Sequence, residues 1–480
     1  MTGTECGSSA PAYCGVALWI VASTAVLVGC VAAPGSVTRE RPLAANELAL
    51  TGPAYQAPVD GWWRTLDDPQ LDRLIASALA RNPGLAAALA RVRSAREQAT
   101  VAGTADSPQV ALDAAESRTR VSENYVFPPP YGGATFWDGR LGLNLGWHLD
   151  FWGRQAALVE QASRSADAAG LDATAAQLLL SSAVAQAYVE YVRALALEQV
   201  ALRAAAQRGS LVQLTARRVS AGLDSQVEAQ TAASTFEQTA VDIEQSRLAQ
   251  ATARHVLAAL TGTSAAAPLA LDAPNLDLEQ ALALPHELPA DLLARRPDVQ
   301  AATLRVQAAL AGREVAHTNF YPNVDLIGFA GFAAIGLDDL LHAGSRQWSV
   351  GPAIHLPIFT AGRLQAEYRR AGADVDVAIA SYNDTVLRAV REATEQVTRL
   401  ESLDTQLAPQ ARALAAAESA YSLATQRYDA GIASQVTVLN SETQVLAARR
   451  QRTQLLADRA AARVALLVAL GGHYLQEPSR

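Results

Sequence analysis

The feature that most constrains this chain is a segment in which a strand pattern changes abruptly into a helical pattern, and the chain contains it twice. In the first copy, LGLNLGWHLDFWGR at 141–154, leucine and tryptophan alternate with small or polar residues. A period of two is typical of a strand with one apolar face. The second copy is WSVGPAIHLPIFTAGR at 348–363, and an alanine-rich run follows each copy. The chain is therefore expected to pass twice from a strand into a helix.

The run after each Gly-Arg pair predicts a helix of unusual length. No proline occurs from Gly153 to Ser220, and a helix of that length would measure about 100 Å at about 1.5 Å per residue. Helices of globular proteins are usually far shorter. Each run ends near a glycine, Gly222 or Gly431, which suits the end of a helix. These helices are expected to belong to a coiled-coil-like assembly.

The two halves of the chain repeat the same order of motifs, since Pro83 and Arg91 match Pro297 and Arg305 at a constant offset. Such spacing indicates an internal duplication. The predicted boundaries are a signal peptide at 1–29, a tether at 30–60, a first repeat at 61–265, a linker at 266–287, a second repeat at 288–472 and a tail at 473–480. The predicted strands are 108–118, 139–150, 321–332 and 348–358, with a loop at 119–138. The predicted helices after them are 153–220, 225–260, 362–429 and 434–470.

The first thirty residues have the pattern of an export signal. Val16 to Val28 is mostly apolar and is too short to span a membrane, and it leads into LVGC at 27–30. This tetrapeptide resembles a lipobox, which predicts cleavage before Cys30 and a lipid on that cysteine. The segment before the apolar run lacks Lys and Arg and contains Glu5. Either the start is misplaced or the signal is weak.

The rest of the sequence excludes several classes of protein. The net charge of −8 argues against a nucleic-acid-binding protein, which would carry a basic face. No Cys/His spacing of the zinc type occurs. After Cys30 no apolar run reaches the ~18 residues expected of a membrane helix. If the protein crosses a membrane, it is expected to do so with strands.

Strand number then indicates an oligomer. Four strands cannot close a membrane barrel, because known barrels have at least eight. Two copies would give eight strands around an interior filled by side chains, and three would give twelve with room for a lumen. The polar row Asn144, His148 and Asp150 would face the lumen, and the Leu/Trp row the lipid. The expected fold is mainly α with membrane β: a trimeric α-barrel of long helices continuing into a 12-stranded β-barrel.

The chain resembles the trimeric outer-membrane efflux lipoproteins of the TolC and OprM kind. The residues that carry the resemblance are Trp62-Trp63 with Asp68-Pro69, ARNP at 80–83, LLARRPDV at 292–299, WSVGP at 348–352 and both Gly-Arg pairs. The resemblance implies an exit duct through the outer membrane, without a cofactor. It also implies a homotrimer that docks on a periplasmic adaptor protein and, through it or directly, on an inner-membrane pump.

The two turns are the candidate docking site, because in the resembled family such hairpins contact the adaptor. A glycine is also needed simply to make such a turn, and both interpretations can hold together. The candidate docking residues are Arg218, Gly222, Leu223, Ser225, Arg427, Gly431, Ile432 and Ser434.

The same end of the molecule is the candidate gate. Tyr428 matches a gate tyrosine of the family, whereas Thr437 and Asn440 stand where relatives carry acidic residues. Asp224 and Asp429 remain as possible acidic groups of the lumen, although a charged residue at a helix turn is more often a solvated cap. Which contacts hold this gate closed stays open at this stage.

No catalytic residue or metal site is assigned. His148 and His355 occupy similar positions in the two strands, and each is interpreted as a polar residue facing the lumen. Three functions remain open: a duct for small toxic compounds, an outer-membrane duct for exported proteins, and a periplasmic coiled-coil scaffold without a pore. The alternating strands argue against the scaffold, because it would have no use for a lipid-facing strand.

Overall fold

The computed structural model describes residues 39–48, 61–124, 126–264, 269–279 and 295–472. The predicted signal peptide, Cys30, the C-terminal tail and parts of the tether and linker lie outside the described residues. The chain divides into two compact units. The sheet unit comprises Met1–Arg41, Arg93–Asp167 and Leu304–Ala380, and the helical unit comprises Pro42–Val92, Ala168–Thr303 and Ser381–Arg480. Each unit therefore combines segments from both predicted repeats.

The order of elements follows the predicted duplication. The first half contains α1 Pro69–Arg81, α2 Pro83–Thr104, β1 Gln109–Arg120, β2 Thr135–His148, α3 Arg154–Ser220 and α4 Gln226–Leu260. The second half contains α5 Pro297–Thr318, β3 Asn323–Ile335, β4 Arg346–His355, α6 Arg363–Asp429 and α7 Gln435–Ala469. Helices α3 and α6 have 67 residues each, and α4 and α7 have 35 each. Equal lengths at matching positions agree with an internal duplication.

Helix α3 corrects one expectation about membrane helices. By length and composition it is apolar enough to cross a membrane, so a run of this kind does occur after Cys30. Alanine, leucine and valine give the helix this hydropathy. Some of these apolar residues pack inside the protein, since Val184 and Val189 belong to the hydrophobic core of the helical unit.

The sheet unit contains a single antiparallel sheet in the order β1-β2-β3-β4. Its register places Leu112 opposite Leu143 and Leu143 opposite Ala330. Successive side chains of a strand point to opposite faces, so the apolar alternate residues of all four strands share one face. We call this the apolar face: Val110, Leu112, Ala114, Trp137, Leu141, Leu143, Leu145, Trp147, Val324, Leu326, Ala330, Phe332, Trp348, Val350 and Ile354. The other face carries Asn144, His148 and Asp325.

The observed strands differ from the predicted ones at their ends. Strand β2 begins at Thr135, inside the segment predicted as a loop, because its first residues pair with the end of β1. The predicted strand also extended to Asp150, which lies beyond β2. Its carboxylate accepts a hydrogen bond from the backbone N–H of Ala156 at 3.0 Å, so Asp150 satisfies a free donor at the start of α3. Strand β4 likewise ends at His355, before Pro357, and proline cannot donate to a ladder.

In the helical unit, the Trp-Trp and Asp-Pro motifs both contact α3, and the Trp62 indole N–H donates to the Ser181 hydroxyl at 3.1 Å. Asp68 caps α1 by accepting hydrogen bonds from the backbone N–H groups of Gln70 and Leu71. It is buried, and its carboxylate also accepts from the Tyr188 hydroxyl at 2.7 Å and from the Asn275 N–H at 2.9 Å. These bonds join α1, α3 and the segment 269–279.

The Arg-Arg-Pro-Asp motif has a similar role at the start of α5. Buried Arg296 forms ion pairs with Asp298 at 2.8 Å and with Glu392 of α6 at 2.9 Å. It also donates to the carbonyl of Ala469 at the end of α7. These contacts join the start of α5 to α6 and to the end of α7.

We predict that Asp68→Ala destabilises the protein by about 3 kcal/mol. The substitution removes a helix cap and leaves the buried Tyr188 hydroxyl without its acceptor. Thermal unfolding of the purified protein, followed by circular dichroism at pH 7, measures the effect. The exposed Asp384 forms a surface ion pair with Arg388 one turn further on, so Asp384→Ala should leave the midpoint almost unchanged. Equal midpoints for wild type and Asp68→Ala would contradict the role of Asp68.

Candidate functional site at the two helix turns

The turn after α3 and the turn after α6 have the same backbone geometry. Gly222 and Gly431 have φ values of +69° and +75°, which only glycine adopts without cost. The N–H of the residue after each glycine bonds to the carbonyl five residues back, Leu223 to Arg218 and Ile432 to Arg427, each at 2.9 Å. With the bond from each glycine to the carbonyl three residues back, these form Schellman motifs.

The helices that leave the turns have a serine at the N-cap position, Ser225 or Ser434, and of these two only Ser225 makes a side-chain capping hydrogen bond. The Ser225 hydroxyl accepts from the N–H of Val227, and the Glu228 carboxylate accepts from the Ser225 N–H at 2.9 Å. This is a capping box. In the second turn the hydroxyls of Ser434 and Thr437 lie 3.2 Å apart. Thr437 therefore contributes to the helix start, a contact that the sequence did not predict.

Apolar side chains lie exposed at both turns. Leu223 is 65% exposed and Ile432 is 67% exposed, and Val227 and Val436 on the following helices are 71% and 59% exposed. A Cβ atom added at Gly222 or Gly431 would meet nothing within 4 Å. Both turns therefore present an open surface with apolar side chains at matching positions.

A cluster of polar side chains joins the first turn to the end of α6. Arg218 contacts both oxygens of the Asp224 carboxylate, at 2.9 and 3.3 Å, a strong bidentate geometry. The hydroxyl of the fully buried Tyr428 donates to the same carboxylate at 2.5 Å. The Arg218 guanidinium lies 4.4 Å from the centre of the Tyr428 ring and donates to the Tyr428 carbonyl at 3.2 Å. We call Arg218, Asp224 and Tyr428 the tip cluster.

The tip cluster extends to α7 through uncharged groups. Thr215 of α3 lies 3.5 Å from the Tyr428 hydroxyl and accepts from the Gln435 side-chain amide at 3.0 Å. Thr215 and Gln435 are buried. The ends of α3 and α6 and the start of α7 are thus connected by hydrogen bonds.

The electrostatics of the tip cluster keep Asp224 ionised. A hydrogen bond from Arg218 lowers the pKa of the Asp224 carboxyl, and the Tyr428 hydroxyl lowers it further. A carboxyl with a lowered pKa stabilises the folded state at pH values above its unfolded pKa, about 3.9, and this contribution is lost only as the pH falls through the lower folded pKa. The cluster is therefore expected to persist at neutral and mildly acidic pH. Burial raises the pKa of Tyr428, so its hydroxyl keeps the proton that it donates.

A second charged contact lies further along the same helices. Arg208 of α3 and the buried Glu442 of α7 form an ion pair at 3.2 Å, and Arg208 also donates to the Thr235 carbonyl of α4 at 2.7 Å. Arg208 lies seven residues before Thr215, and Glu442 seven after Gln435. The two contacts are thus one heptad apart.

Sequence reasoning found the turns and Tyr428 but missed the partners of Tyr428. Asp224 was interpreted as a cap or a lumen group, whereas it binds Arg218 and Tyr428. Arg218 is a predicted docking residue. Its positive charge six residues before the negative charge of Asp224 is a sequence signal for the ion pair between them. No sequence pattern indicates a role for Thr215. Asp429, Arg427, Thr437 and Asn440 are exposed, and their assigned roles stay predictions.

The histidines of the strands pair with polar neighbours. His148 lies 2.9 Å from its cross-strand partner Asp325, and His355 is opposite Asn323. Within the described residues no group of three or more His, Cys, Asp or Glu side chains is arranged to hold a metal ion.

The comparisons with known proteins place these turns in a known family. Residues 74–263 and 288–472 match the family described as "Outer membrane efflux protein", and each segment contains one turn. The chain is 37% identical over 370 residues to the fusaric acid resistance protein FusA of Burkholderia cepacia, covering 75% of this chain and 70% of FusA. It is 30% identical over 472 residues to the multidrug resistance outer membrane protein MdtP of Shigella flexneri, covering 96% of each.

A solved structure gives the same result for the fold. The outer membrane protein VceC of Vibrio cholerae superimposes with a TM-score of 0.80 at 32% identity, covering 86% of this chain and 99% of VceC. The expected fold class, the location in the outer membrane with an extension into the periplasm, and the efflux function are thereby confirmed. This chain belongs to the outer membrane efflux protein family, whose role is transport across the outer membrane.

Proposed function

We propose that the protein is the outer-membrane duct of a tripartite efflux system that exports small toxic compounds. FusA is named for resistance to fusaric acid and MdtP for multidrug resistance, and both names refer to small molecules. This favours small compounds over exported proteins. The protein in this proposal is a passive conduit, and the energy comes from an inner-membrane pump.

The observation that best supports a duct is that the sheet has two edge strands without a neighbouring strand among the described residues. Strands β1 and β4 are the edges of the four-stranded sheet, and every residue of β1 is exposed. Within a bilayer no water satisfies the backbone groups of an edge, so spanning sheets must close. Three copies would close a barrel of twelve strands, with β1 of one copy beside β4 of the next. Two copies would give only eight, with no open lumen.

Exposed apolar residues on α4 offer a surface for packing against another helix. Val227, Val241 and Leu248 are 71%, 48% and 68% exposed, and their spacing is a multiple of seven residues. Apolar residues at heptad spacing form the seam between packed helices. In the trimer this face of α4 packs against a neighbouring copy or against the adaptor.

A lipid on Cys30 fits the start of the described chain. The backbone N–H groups of Arg39 and Glu40 donate to Asp376 of α6 at 3.0 and 3.2 Å. Asp376 lies about 20 Å along α6 from its first residue, Arg363. The nine residues from Cys30 to Arg39 can span about 30 Å. The tether is therefore long enough for its lipid to reach the level of the end of the strands.

We propose that the two turns dock on the hairpins of a periplasmic adaptor. Each turn lies at the end of a helix of 67 residues, which is about 100 Å long. The exposed apolar pairs Leu223 and Val227, and Ile432 and Val436, offer matching contacts at the two turns. The duplication gives six such turns in the trimer.

We propose further that the tip cluster holds the periplasmic end closed. It joins the turn after α3 to the end of α6 through one shared carboxylate. Asp224 thus supplies an acidic group to this cluster, whereas Thr437 and Asn440 are uncharged. Opening would separate Tyr428 from Asp224 while Arg218 retains its ion pair.

We predict that Gly222→Trp or Gly431→Trp abolishes efflux in cells while a folded protein still assembles. Gly222→Ala and Gly431→Ala are matched controls, because alanine has the same strain at positive φ, about 1 kcal/mol, without the bulk. A deletion strain complemented with each variant and exposed to a panel of toxic compounds measures efflux. The deletion itself should raise susceptibility.

Three results would contradict this proposal. Normal resistance with either tryptophan variant would exclude docking at that turn. Unchanged susceptibility of the deletion strain to every compound would exclude small-compound efflux itself. Equal loss with alanine and tryptophan would assign the glycines to the turn alone.

We predict that Tyr428→Phe makes the closed channel leakier by about tenfold or more. The ring and its packing remain, but Asp224 loses a hydrogen bond to a charged acceptor, worth about 1.5–3 kcal/mol. Single-channel recordings in planar bilayers measure the conductance. Tyr421→Phe is the control. Tyr421 packs in the same apolar cluster as Tyr428, but the hydroxyl that bonds to Asp224 is that of Tyr428. Wild-type conductance for Tyr428→Phe would remove Tyr428 from the gate.

A further inference from the structure

The apolar face of the sheet ends in arginines at the side of the hairpin loops. In β1 the residues on this face are Val110, Leu112, Ala114, Glu116, Arg118 and Arg120. Arg118 lies opposite Trp137 of β2, and its guanidinium is 5.6 Å from the centre of that ring. At the other edge of the sheet, β4 begins with Arg346, which is on the same face and is exposed.

The distance between two tryptophans shows where these arginines lie in a membrane. Trp147 and Trp137 are both on the apolar face of β2, ten residues apart. This corresponds to about 33 Å along the strand and about 25 Å along the bilayer normal at a tilt of about 40°. Outer-membrane barrels have an apolar band about 25 Å tall with aromatic residues at both borders. Trp147 and Trp137 therefore mark the two borders.

The hairpin loops mark the outer border. Helices α2 and α3 join the strands at the Trp147 end, and the family's helical part extends into the periplasm, so Trp137 lies toward the cell exterior. An arginine on the lipid side costs about 2–4 kcal/mol at the middle of the bilayer and almost nothing at its borders. Arg118 and Arg120, beside and beyond Trp137, are thus at the level of the outer headgroups.

We propose that Arg118 and Arg120 bind phosphate groups of the glycolipid headgroups in the outer leaflet. Guanidinium groups suit this ligand because their donors match two oxygens of one phosphate. The proposal rests on the trimeric barrel proposed above. In that barrel β1 lies next to β4 of a neighbouring copy, which adds Arg346 to the same band.

The acidic residues nearby do not cancel this charge. Glu123 lies 3.5 Å from Arg120, and their side chains are 70% and 66% exposed, so the pair is weak and easily replaced. Glu116 lies two residues inside the border that Trp137 marks. This face of β1 therefore has two positive charges, Arg118 and Arg120, and one negative charge, Glu116.

The test compares two positions on opposite faces of the same sheet. Arg118→Gln/Arg120→Gln removes the charge on the apolar face. Arg140→Gln removes an arginine from the other face of β2, where Arg140 is 68% exposed beside Asp138. Binding of the detergent-purified full-length protein to nanodiscs of phosphatidylcholine with or without bisphosphorylated lipid A measures affinity. Lipid A without phosphates and free inorganic phosphate are the further probes.

We expect the wild type and Arg140→Gln to prefer bisphosphorylated lipid A, and the double variant to bind it about tenfold more weakly or worse. Equal binding by the double variant, equal loss with Arg140→Gln, or no preference for the phosphorylated lipid would overturn the proposal. Competition by millimolar inorganic phosphate would assign the site to free phosphate instead. Resistance of complemented cells is measured separately, so a protein that does not export compounds is distinguished from one that does not bind this lipid.

Discussion

The rest of the structure depends on the unsatisfied backbone groups at the two edges of a four-stranded sheet. One face of the sheet is apolar, and β1 is exposed along its whole length. In a bilayer such an edge cannot be left open, so the chain cannot act alone. The need to close this sheet leads to a barrel of several copies, and the number of strands then decides whether that barrel contains a lumen.

The duplication explains how one chain can supply two similar parts of such a duct. Both halves end a 67-residue helix in the same Schellman motif. The two turns nevertheless differ in their side chains. The Tyr428 hydroxyl of the second half donates a hydrogen bond to Asp224 of the first half, and Arg218 contacts both. The tip cluster therefore depends on the difference between the halves, and it connects the turn after α3 to the end of α6.

Much of this architecture could be predicted from the periodicity of the apolar residues and from the glycines that mark the ends of the helices. The long helices were predicted within one or two residues, because Gly153, Gly222, Gly362 and Gly431 mark their limits. The strand ends were predicted less well, because Thr135 to Asp138 follow a proline-rich loop and pair with β1 only through tertiary contact. The tip cluster could not be predicted as a unit. Residues 218 and 428 are distant in sequence, and nothing local indicates that Arg218 lies against the Tyr428 ring.

The most direct test of the central claim is the number of chains in the assembled protein. Native mass spectrometry of the full-length protein, extracted from membranes in mild detergent, gives this number. Three copies close a twelve-stranded barrel, so we predict a mass of three chains as the main species. A main species of one or two chains would contradict the account, since one sheet cannot close and eight strands leave no duct.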